Sequence, residues 1–367
     1  MSINKIPEIF CSSLSSIVLN FVQKGIDILN FYWIDQPKLN DIQSTLDELV
    51  ILGALENNSG EIKLTKLGEF ISKIQVEPKV GKVIFSGYTN GFLQSALYLA
   101  AAIEASGSIW FHFNQLDKQK KLSLLNKNCS IEYGDIIPLI PILKEFEKNK
   151  FDQQWCKTRQ LHFKFCGNAI IMKDEVRDIL QREGYSVKDL KTPTQKDYLQ
   201  ILLTSFPMNI CVAVKEDYRS IFSSVQGSID KSSVVCELET PRYLLFQEVF
   251  TFSTSFFCRV TPIPQEMLSR EVMGSSFEFY QKSLSQNFSQ EVITGVTPSV
   301  LQNTFGKNNN MLSVIEKITS STIDIQTIPN IKIIITSKKE NVQAAKKFIL
   351  ERIDVTNFFY FIFIFLF

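Results

Sequence analysis

The first half of the chain carries apolar residues at the spacing of amphipathic helices. One such segment, LTKLGEFISKIQVEP, starts at Leu64, where Thr65 can cap a helix, and stops at Pro78, which disfavours helix in the residue before it. An earlier segment, FYWIDQPKLNDIQSTLDELVILGAL, carries an amphipathic stripe and predicts a helix that ends near Gly53. The stripe consists of Ile42, Thr45, Leu46, Leu49 and Val50. A turn and the short strand EIKL separate the two. This succession predicts a winged-helix-like unit over residues 39–78.

Helical patterns continue from Val80 to about Glu183 and predict an all-α bundle over residues 79–184. The next segment, YSVKDLKTPTQKD, is polar and contains proline, so we interpret it as a connection. The pattern then changes to alternating positions in the short runs NICVAVKED, SSVVCEL, YLLFQEVFTF and FFCRVTPI. Several short strands in succession predict a small barrel or sandwich, assigned to residues 198–270.

A polar, helical passage leads from there into a mixed segment. The order of patterns is strand (QEVITGV), helix (TPSVLQNTF), loop (GKNNN), helix (MLSVIEKIT), two strands (STIDIQTI and NIKIIITS) and a closing helix (KKENVQAAKKFILERI). In the second helix, Leu312, Ile315 and Ile318 are predicted to face inward. We expect an α/β domain over residues 288–353.

The last residues, 354–367, form an apolar tail. Its apolar run is about half of the roughly 20 residues that a spanning helix requires. We therefore expect a sticky strand or an ill-defined chain end, and a membrane partner is the less favoured alternative.

Composition narrows the classes of function. The formal net charge is +1, from 39 Lys and Arg against 38 Asp and Glu, so a nucleic-acid ligand would have to bind a local surface. The 7 cysteines include no CxxC pair, a scatter typical of reduced thiols in an intracellular protein, nuclear or cytoplasmic. No secretory signal opens the sequence. His112 and His162 have no nucleophile and orienting acid at a recognisable spacing. We predict no catalytic residue and no metal site.

These motifs resemble the region that follows the motor domains in DEAH-box RNA helicases. LDELVILGAL and LTKLGEFISKIQVEPKVGKVI resemble the winged helix of that family, and WCKTRQLHFKFCGNAIIMKDEVRDIL resembles its ratchet helix. Gly134-Asp135 stands where the family keeps a Gly-Asp pair. PEIFCSSLSSIVLNFVQKGIDILNFYWIDQP resembles the segment that leaves the second motor domain, so residues 1–38 are interpreted as a remnant or linker from a motor that is missing here. The resemblance covers roughly Pro7 to Leu268.

The resemblance implies a multidomain α+β fold: a winged helix, an all-α ratchet bundle of the helicase-associated type and a small OB-like β-barrel. Two segments depart from the family. Lys157-Thr158-Arg159 replaces an Asn-Phe/Tyr stretch, and Asp230-Lys231-Ser232-Ser233 replaces His-Pro-Ser-Ser. Both belong to the RNA-facing surface in the family.

The motor's own motifs are absent from the sequence. Nothing matches GxxxxGK[ST], the loop that holds ATP phosphates, because Gly81-Lys82 lacks the upstream glycine and a following Ser or Thr. No Asp-Glu-Ala-His tetrapeptide is present to hold magnesium. We therefore expect no ATP hydrolysis by this chain alone and no cofactor in it, since ATP and Mg would belong to the motor domains.

The segment over residues 288–353 resembles a KH domain, in which a GxxG loop clamps single-stranded nucleotides. Here the loop reads Gly306-Lys307-Asn308-Asn309, so its second glycine is missing. Asparagine tolerates left-handed backbone angles, so the turn can be kept. Lys307 and Lys317 are placed to meet phosphates. The alternative is a KH-like fold used only for packing.

The candidate RNA-binding residues form three groups. They are Arg159, Lys164, Lys173 and Arg177 on the ratchet-like helix; Lys231, Ser232 and Ser233 in the barrel; and Gly306, Lys307, Asn308, Asn309 and Lys317 in the KH-like domain. Lys338, Lys339, Lys346 and Lys347 add a basic face on the closing helix, which is more typical of a solvated surface.

Three functions remain open. The first is a non-catalytic segment that binds single-stranded RNA. The second is a protein-interaction module that docks a helicase motor or an activating protein without binding RNA. The third is part of an ATP-dependent helicase whose ATP site lies in another chain or in upstream sequence.

Overall fold

The computed structural model describes residue 9 and residues 14–58, 61–105, 130–159, 161–215, 217–223, 225–252, 254–287, 289–306, 311–319, 321–326, 331–337 and 341–353. The chain forms two compact units. We call Met1–Ser220 with Val225–Phe277 the large unit, and Ile221–Ser224 with Glu278–Phe367 the small unit. The fold is mixed α+β, as the sequence patterns predict.

The large unit begins with a helical unit that contains one β-hairpin. Its elements are α1 (Ser15–Gln23), α2 (Leu39–Leu52), β1 (Leu55–Asn58), β2 (Glu61–Leu64) and α3 (Lys66–Ile74). The strands pair antiparallel, so the chain from residue 56 to 58 is strand and not only turn. Thr65 caps α3 by accepting a hydrogen bond from the amide of Gly68 (3.2 Å). The order of helix, hairpin and helix agrees with the winged-helix pattern; the finer assignment stays a prediction.

Helix α1 lies within the segment interpreted as a linker, yet it packs on α2, β2 and α3. Val18 and Leu19 are buried in a core shared with Leu46 and Leu49 of α2. The described part of the segment 1–38 therefore contributes to this core, and the domain boundary at residue 38 stays a prediction.

Among the described residues of the large unit, six further α-helices lie between this helical unit and the sheet. They are α4 (Pro78–Thr89), α5 (Leu93–Ala105), α6 (Leu139–Lys148), α7 (Gln153–Thr158), α8 (Phe163–Arg182) and α9 (Gln195–Ser205). Residues 198–205, assigned from sequence to the barrel, are thus helical. The reason is a capping box, in which Thr194 and Asp197 satisfy each other's backbone amides.

A seven-stranded sheet completes the large unit. Its strands are β3 (Ile210–Val214), β4 (Asp217–Ser220), β5 (Gln226–Ile229), β6 (Tyr243–Leu245), β7 (Glu248–Thr251), β8 (Ser255–Cys258) and β9 (Thr261–Pro262). The order is β7-β8-β5-β4-β3-β6-β9, with β5 and β8 parallel and the other neighbours antiparallel.

Of the predicted barrel or sandwich, the described strands form no closed barrel, because β7 and β9 end the sheet without pairing to each other. The finer OB-like assignment stays a prediction. SSVVCEL is also not a strand. Ser233 caps a 3-10 helix there, Val234–Glu237, by accepting a hydrogen bond from the amide of Val235 (3.1 Å). A short 3-10 turn, Gln265–Met267, and helix α10 (Arg270–Met273) follow the sheet.

Helix α11 (Ser276–Asn287) leads into the small unit. There follow β10 (Ser289–Ile293), α12 (Pro298–Phe305), α13 (Leu312–Thr319), β11 (Thr322–Gln326), β12 (Lys332–Ser337) and a closing helix, α14, over residues 341–353. The sheet is antiparallel in the order β10-β12-β11. Its core contains Phe305, Ile315, Ile333 and Ile335.

The inward position predicted for Ile318 is wrong, because its side chain is 66% exposed. The buried face of α13 instead carries Ile315, Glu316 and Thr319. Glu316 is tolerated there because its carboxylate accepts a hydrogen bond from the amide of Ile323 (2.9 Å).

Within the described residues, no helix has both the length and the apolarity that crossing a membrane requires.

Lys82 on α4 predicts a pH dependence of stability. Its ammonium donates a hydrogen bond to the carbonyl of Leu52 (2.7 Å), and burial lowers its pKa to about 8. In the unfolded chain the pKa returns to about 10.4, so the unfolded state binds more protons between these values. Stability from this group therefore rises with pH from about 8 to 10.4, by about 1–2 kcal/mol after allowing for partial solvent access.

The measurement is the free energy of unfolding against pH for the wild type minus that for Lys82→Met. The difference is needed because buried thiols such as Cys166, whose pKa burial raises to about 12, make stability fall over the same range. A difference that stays flat from pH 8 to 10 would contradict the assignment.

Candidate nucleic-acid interface

The α7–α8 corner carries two of the predicted cations, of which Arg159 is half-buried and Lys164 is exposed. Asp152 starts α7 by accepting a hydrogen bond from the amide of Gln154 (2.8 Å). Trp155 is buried, and the guanidinium of Arg159 lies over its ring at 4.4 Å from the centroid. Lys164 lies in the first turn of α8 and is exposed. Arg159 and Lys164 are therefore accessible to an anion.

Lys173 does not belong to that surface. Its side chain is 6% exposed and its ammonium lies 2.8 Å from Glu147 and 3.1 Å from Asp174. It also lies 4.6 Å from the centroid of the Tyr98 ring, and Tyr98 donates a hydrogen bond to Glu147. The predicted RNA contact of Lys173 is corrected to an internal ion pair that joins α5, α6 and α8.

This network shifts the pKa of two of its members. Burial alone would raise the pKa of Glu147, but hydrogen bonds from Lys173 and Tyr98 outweigh burial and lower it. Burial, followed by the hydrogen bond to Glu147, raises the pKa of Tyr98. Both shifts favour a charged Glu147 and a neutral Tyr98.

Arg177 lies one turn further along α8 and is largely neutralised. Its guanidinium lies 2.7 Å from Asp174 and 2.9 Å from Asp178. The hydrogen bond to Asp178, and then the charge of Asp174, raise its pKa. With Lys173 buried and Arg177 paired, the four predicted cations do not form a continuous basic groove.

Gly134 and Asp135 join the helices to the sheet. Gly134 has a φ of +74°, and a Cβ there would lie 2.4 Å from the carbonyl oxygen of Val260, so only glycine fits without displacing the backbone. The Asp135 carboxylate accepts hydrogen bonds from Ser233 Oγ (2.7 Å) and from the amides of Val234 (2.9 Å) and Val260 (2.9 Å). These two residues therefore anchor the sheet to the loop before α6.

The same contacts determine which residues of the loop 230–233 are available to bind RNA. Ser233 is buried and its hydroxyl is engaged by Asp135, so its predicted RNA contact is corrected to a structural one. Ser232 is exposed, but its amide and hydroxyl both donate to Asp230, the amide at 2.7 Å. Lys231 is exposed at the turn. Of the three residues predicted to bind RNA here, Lys231 is the one whose side chain is exposed and not engaged by Asp135 or Asp230.

In the small unit, α12 and α13 approach each other around the predicted loop. Gly306 ends α12 with a φ of +80°, and the amide of Met311 donates to the carbonyl of Phe305 (2.8 Å). Both ends of the loop are thereby held close together. Lys307, Asn308 and Asn309 themselves, and the side chain of Lys317, lie outside the described residues. Val314 and Ile318, one turn apart on α13, are both exposed.

The basic face predicted on α14 is partly neutralised. Lys346 lies 2.9 Å from Glu291 of β10, and Lys347 lies 4.0 Å from Glu351. Lys338 and Lys339 lie outside the described residues.

The histidines and cysteines in the described part of the chain form no catalytic or metal-binding arrangement. His162 starts α8 and its ring lies 4.4 Å from the ring of Phe165, whereas His112 lies outside the described residues. No group of three or more His, Cys, Asp or Glu side chains there is arranged to hold a metal ion. Cys156 and Cys166 are free, buried thiols.

An aromatic cluster on the β7–β8 hairpin was not predicted from the sequence. Phe250, Phe252 and Phe256 were assigned only to strands, yet the first two are exposed and all three lie on the β7–β8 hairpin. The signal was the alternation of aromatic residues in FTFSTSFF, which is unusual on a solvent-facing strand.

Comparison with known proteins relates this chain to RNA helicases. It is 25% identical over 336 residues to the ATP-dependent RNA helicase DEAH11, chloroplastic, of Arabidopsis thaliana, covering 87% of this chain and 19% of the relative. It is 23% identical over 271 residues to the ATP-dependent RNA helicase DHX33 of Drosophila melanogaster, covering 72% and 38%. The probable ATP-dependent RNA helicase DHX35 of Pongo abelii is 23% identical over 267 residues, covering 72% and 36%. No family model matches.

The relatives are thus DEAH-box RNA helicases, and the chain spans less than two-fifths of the length of each of these three. The chain is thus similar to a part of each of these helicases.

Proposed function

We propose that this chain is a non-catalytic, RNA-binding segment equivalent to the C-terminal part of a DEAH-box helicase. In this proposal the hairpin unit is a winged helix, the helices α4–α8 are the ratchet bundle, the sheet is OB-like and the small unit is KH-like. ATP and Mg would be bound by motor domains outside this chain. The chain would act inside the cell, in the nucleus or cytoplasm.

The observation that carries the proposal is the α12–α13 turn of the small unit. The order of strand, two helices, two strands and helix supports a KH-like assignment, and the turn lies between two helices whose ends are held together. A loop of this kind clamps single-stranded nucleotides through their backbone. Val314 and Ile318 offer apolar surface beside it, where the bases of a bound strand would lie.

The test is fluorescence anisotropy of a labelled single-stranded RNA across a salt series. Lys307→Gln should reduce the salt slope by about 1, because one phosphate contact is lost. Ile318→Ser should weaken binding about fivefold or more without changing the slope, since an exposed apolar contact to bases is lost. Ile171→Ser is the matched control, because Ile171 is also an exposed isoleucine on a helix, in the large unit.

Absence of salt-sensitive binding by the wild type at physiological ionic strength would overturn the proposal. If Lys307→Gln and Ile318→Ser both bind RNA as tightly as the wild type, the α12–α13 turn is not the RNA-binding site.

One observation favours the second candidate, a protein-interaction module. Tyr32, Ile34 and Leu39 expose large apolar side chains near the start of the large unit, and Tyr32 and Ile34 are almost fully exposed. A helicase motor or an activating protein could cover them. Partners that remain bound after nuclease treatment, with no RNA recovered, would support this function over the first.

The third candidate, catalysis by a complete helicase, would require an ATP site outside this chain. An ATPase assay on the chain alone should give no turnover above buffer, because the sequence contains no phosphate-binding loop.

A further inference from the structure

The exposed face of α8 combines two apolar side chains with a glycine between them. Phe163, Gly167 and Ile171 recur at every fourth position, which places them on one face of the helix. Phe163 is 37% exposed and Ile171 is 57% exposed. Among the described residues, a Cβ on Gly167 would meet nothing within 4 Å, so packing inside the chain does not explain a residue that weakens a helix. The glycine leaves a gap in which a second helix can approach closely.

The charges on this face are separated along the helix. Lys164 lies in the first turn and Glu175 about three turns later; both are exposed, and neither has an ion-pair partner within the described residues. They are about 16 Å apart along the helix axis, too far to pair within one chain. The positive end of the helix dipole also disfavours a cation in the first turn. Asp174 and Asp178, by contrast, are paired with Arg177. The face therefore carries an uncompensated cation at one end and an uncompensated carboxylate toward the other.

We propose that this face of α8 binds the same face of a second copy of the chain, as an antiparallel helix pair that crosses at Gly167. Two-fold symmetry then places Phe163 of each copy against Ile171 of the other, since both lie one turn from the glycine. It also places Lys164 of each copy on the same side of the crossing as Glu175 of the other. Their positions along the axis differ by about 8 Å, a gap that these two long side chains can span. The inference goes beyond the proposed RNA-binding function and does not rest on it.

Charge complementarity selects a second copy as the occupant. A face with a cation at one end and a carboxylate at the other is complementary to itself when reversed, so each unpaired charge meets its opposite. An RNA strand along the whole face would instead be repelled by Glu175, Asp174 and Asp178.

The expected dimer is weak. One helix pair is a small interface compared with the roughly 1,200 Å² of stable complexes, so we expect a dissociation constant in the micromolar range or above. At the low protein concentrations of an RNA titration the chain therefore stays monomeric, and Ile171→Ser remains a valid control there.

The test is sedimentation velocity of the full chain over a range of protein concentrations, without RNA. Lys164→Glu and Glu175→Lys should each weaken self-association by about fivefold or more, because both ion pairs of the symmetric dimer become repulsive. An equimolar mixture of these two variants should associate about as tightly as the wild type, since each contact again joins opposite charges. Lys196→Glu is the matched control, because Lys196 is also an exposed lysine in the first turn of a helix, α9. It should leave self-association unchanged.

Gly167→Gln tests the close approach at the crossing. It should weaken self-association because a side chain there separates the two helices. Its free energy of unfolding should be equal to or higher than that of the wild type, since glutamine favours a helix more than glycine does. Loss of association with stability retained excludes misfolding as the cause.

Three results would overturn the inference. The first is a wild type that stays monomeric at every concentration, including the case in which Lys164→Glu weakens RNA binding and the face is an RNA contact. The second is a dimer whose strength does not respond to the α8 substitutions, because it then forms through another surface. The third is a mixture of Lys164→Glu and Glu175→Lys that associates no better than either variant alone, because the charges then do not meet across an antiparallel pair.

Discussion

Replacing Asp135 with alanine should lower the free energy of unfolding of the large unit by about 3 kcal/mol. The carboxylate accepts hydrogen bonds from Ser233 Oγ and from the amides of Val234 and Val260, which belong to separate parts of the sheet region. Hydrogen bonds to a charged group contribute more than neutral ones, and removing the acceptor leaves partly buried donors unsatisfied. Chemical denaturation followed by circular dichroism measures the change.

Glu132→Ala is the matched control, since Glu132 is an exposed acidic residue three positions earlier. It should change stability by less than about 0.5 kcal/mol. Equal stability of the Asp135 and Glu132 variants would show that the link between Asp135 and the sheet contributes nothing to the fold.

Replacing Lys173 with methionine should destabilise the large unit by about 2–3 kcal/mol. The change leaves the Glu147 carboxylate without its cation in a partly buried setting, although it preserves the apolar stem of the side chain. Glu147 keeps some solvent access, which places the loss at or below the lower end of the range for a fully buried pair. Thermal or chemical unfolding provides the measurement.

Lys164→Met on the same helix is the control for Lys173, because Lys164 is exposed. The two variants should differ in stability, because Lys173→Met loses stability and Lys164→Met retains it. Lys164→Met should instead lose part of any RNA affinity. If Lys173→Met keeps full stability but binds RNA more weakly, Lys173 contacts RNA after all, as its position in the sequence suggested.

The helical and strand patterns were predictable where the signals are local. Thr65 starts α3 as predicted, because a cap acts on the nearest backbone amides. Pro78, predicted to stop that helix, instead lies in the first turn of α4, and α3 already ends at Ile74, before Gln75 in the left-handed conformation. The succession of elements in the small unit followed from spacing and turn residues in the same way. The strand predicted at SSVVCEL is wrong, and the strands do not close into a barrel, because short β-rich runs do not specify which edges pair or where a side-chain cap starts a 3-10 helix.

The candidate site was less predictable than the fold. Spacing placed Lys164, Lys173 and Arg177 along one helix, but spacing does not reveal that Glu147 and Asp174 neutralise Lys173. The aromatic face of the β7–β8 hairpin was missed because exposure of a strand depends on which side of the sheet the core covers. These are properties of neighbours that are distant in sequence.

By itself, the sequence determined most of the order of helices and strands, the likeness to DEAH-box helicases and the lack of a phosphate-binding loop within it, since each depends on residues close together in the chain. Only the tertiary structure decided which polar groups are available to a ligand. Ser233 is the clearest case, because its hydroxyl is held by Asp135, 98 residues away. Burial and ion pairing are collective properties, so a lysine or serine of the right type can be removed from a binding surface by a partner that its own segment does not contain.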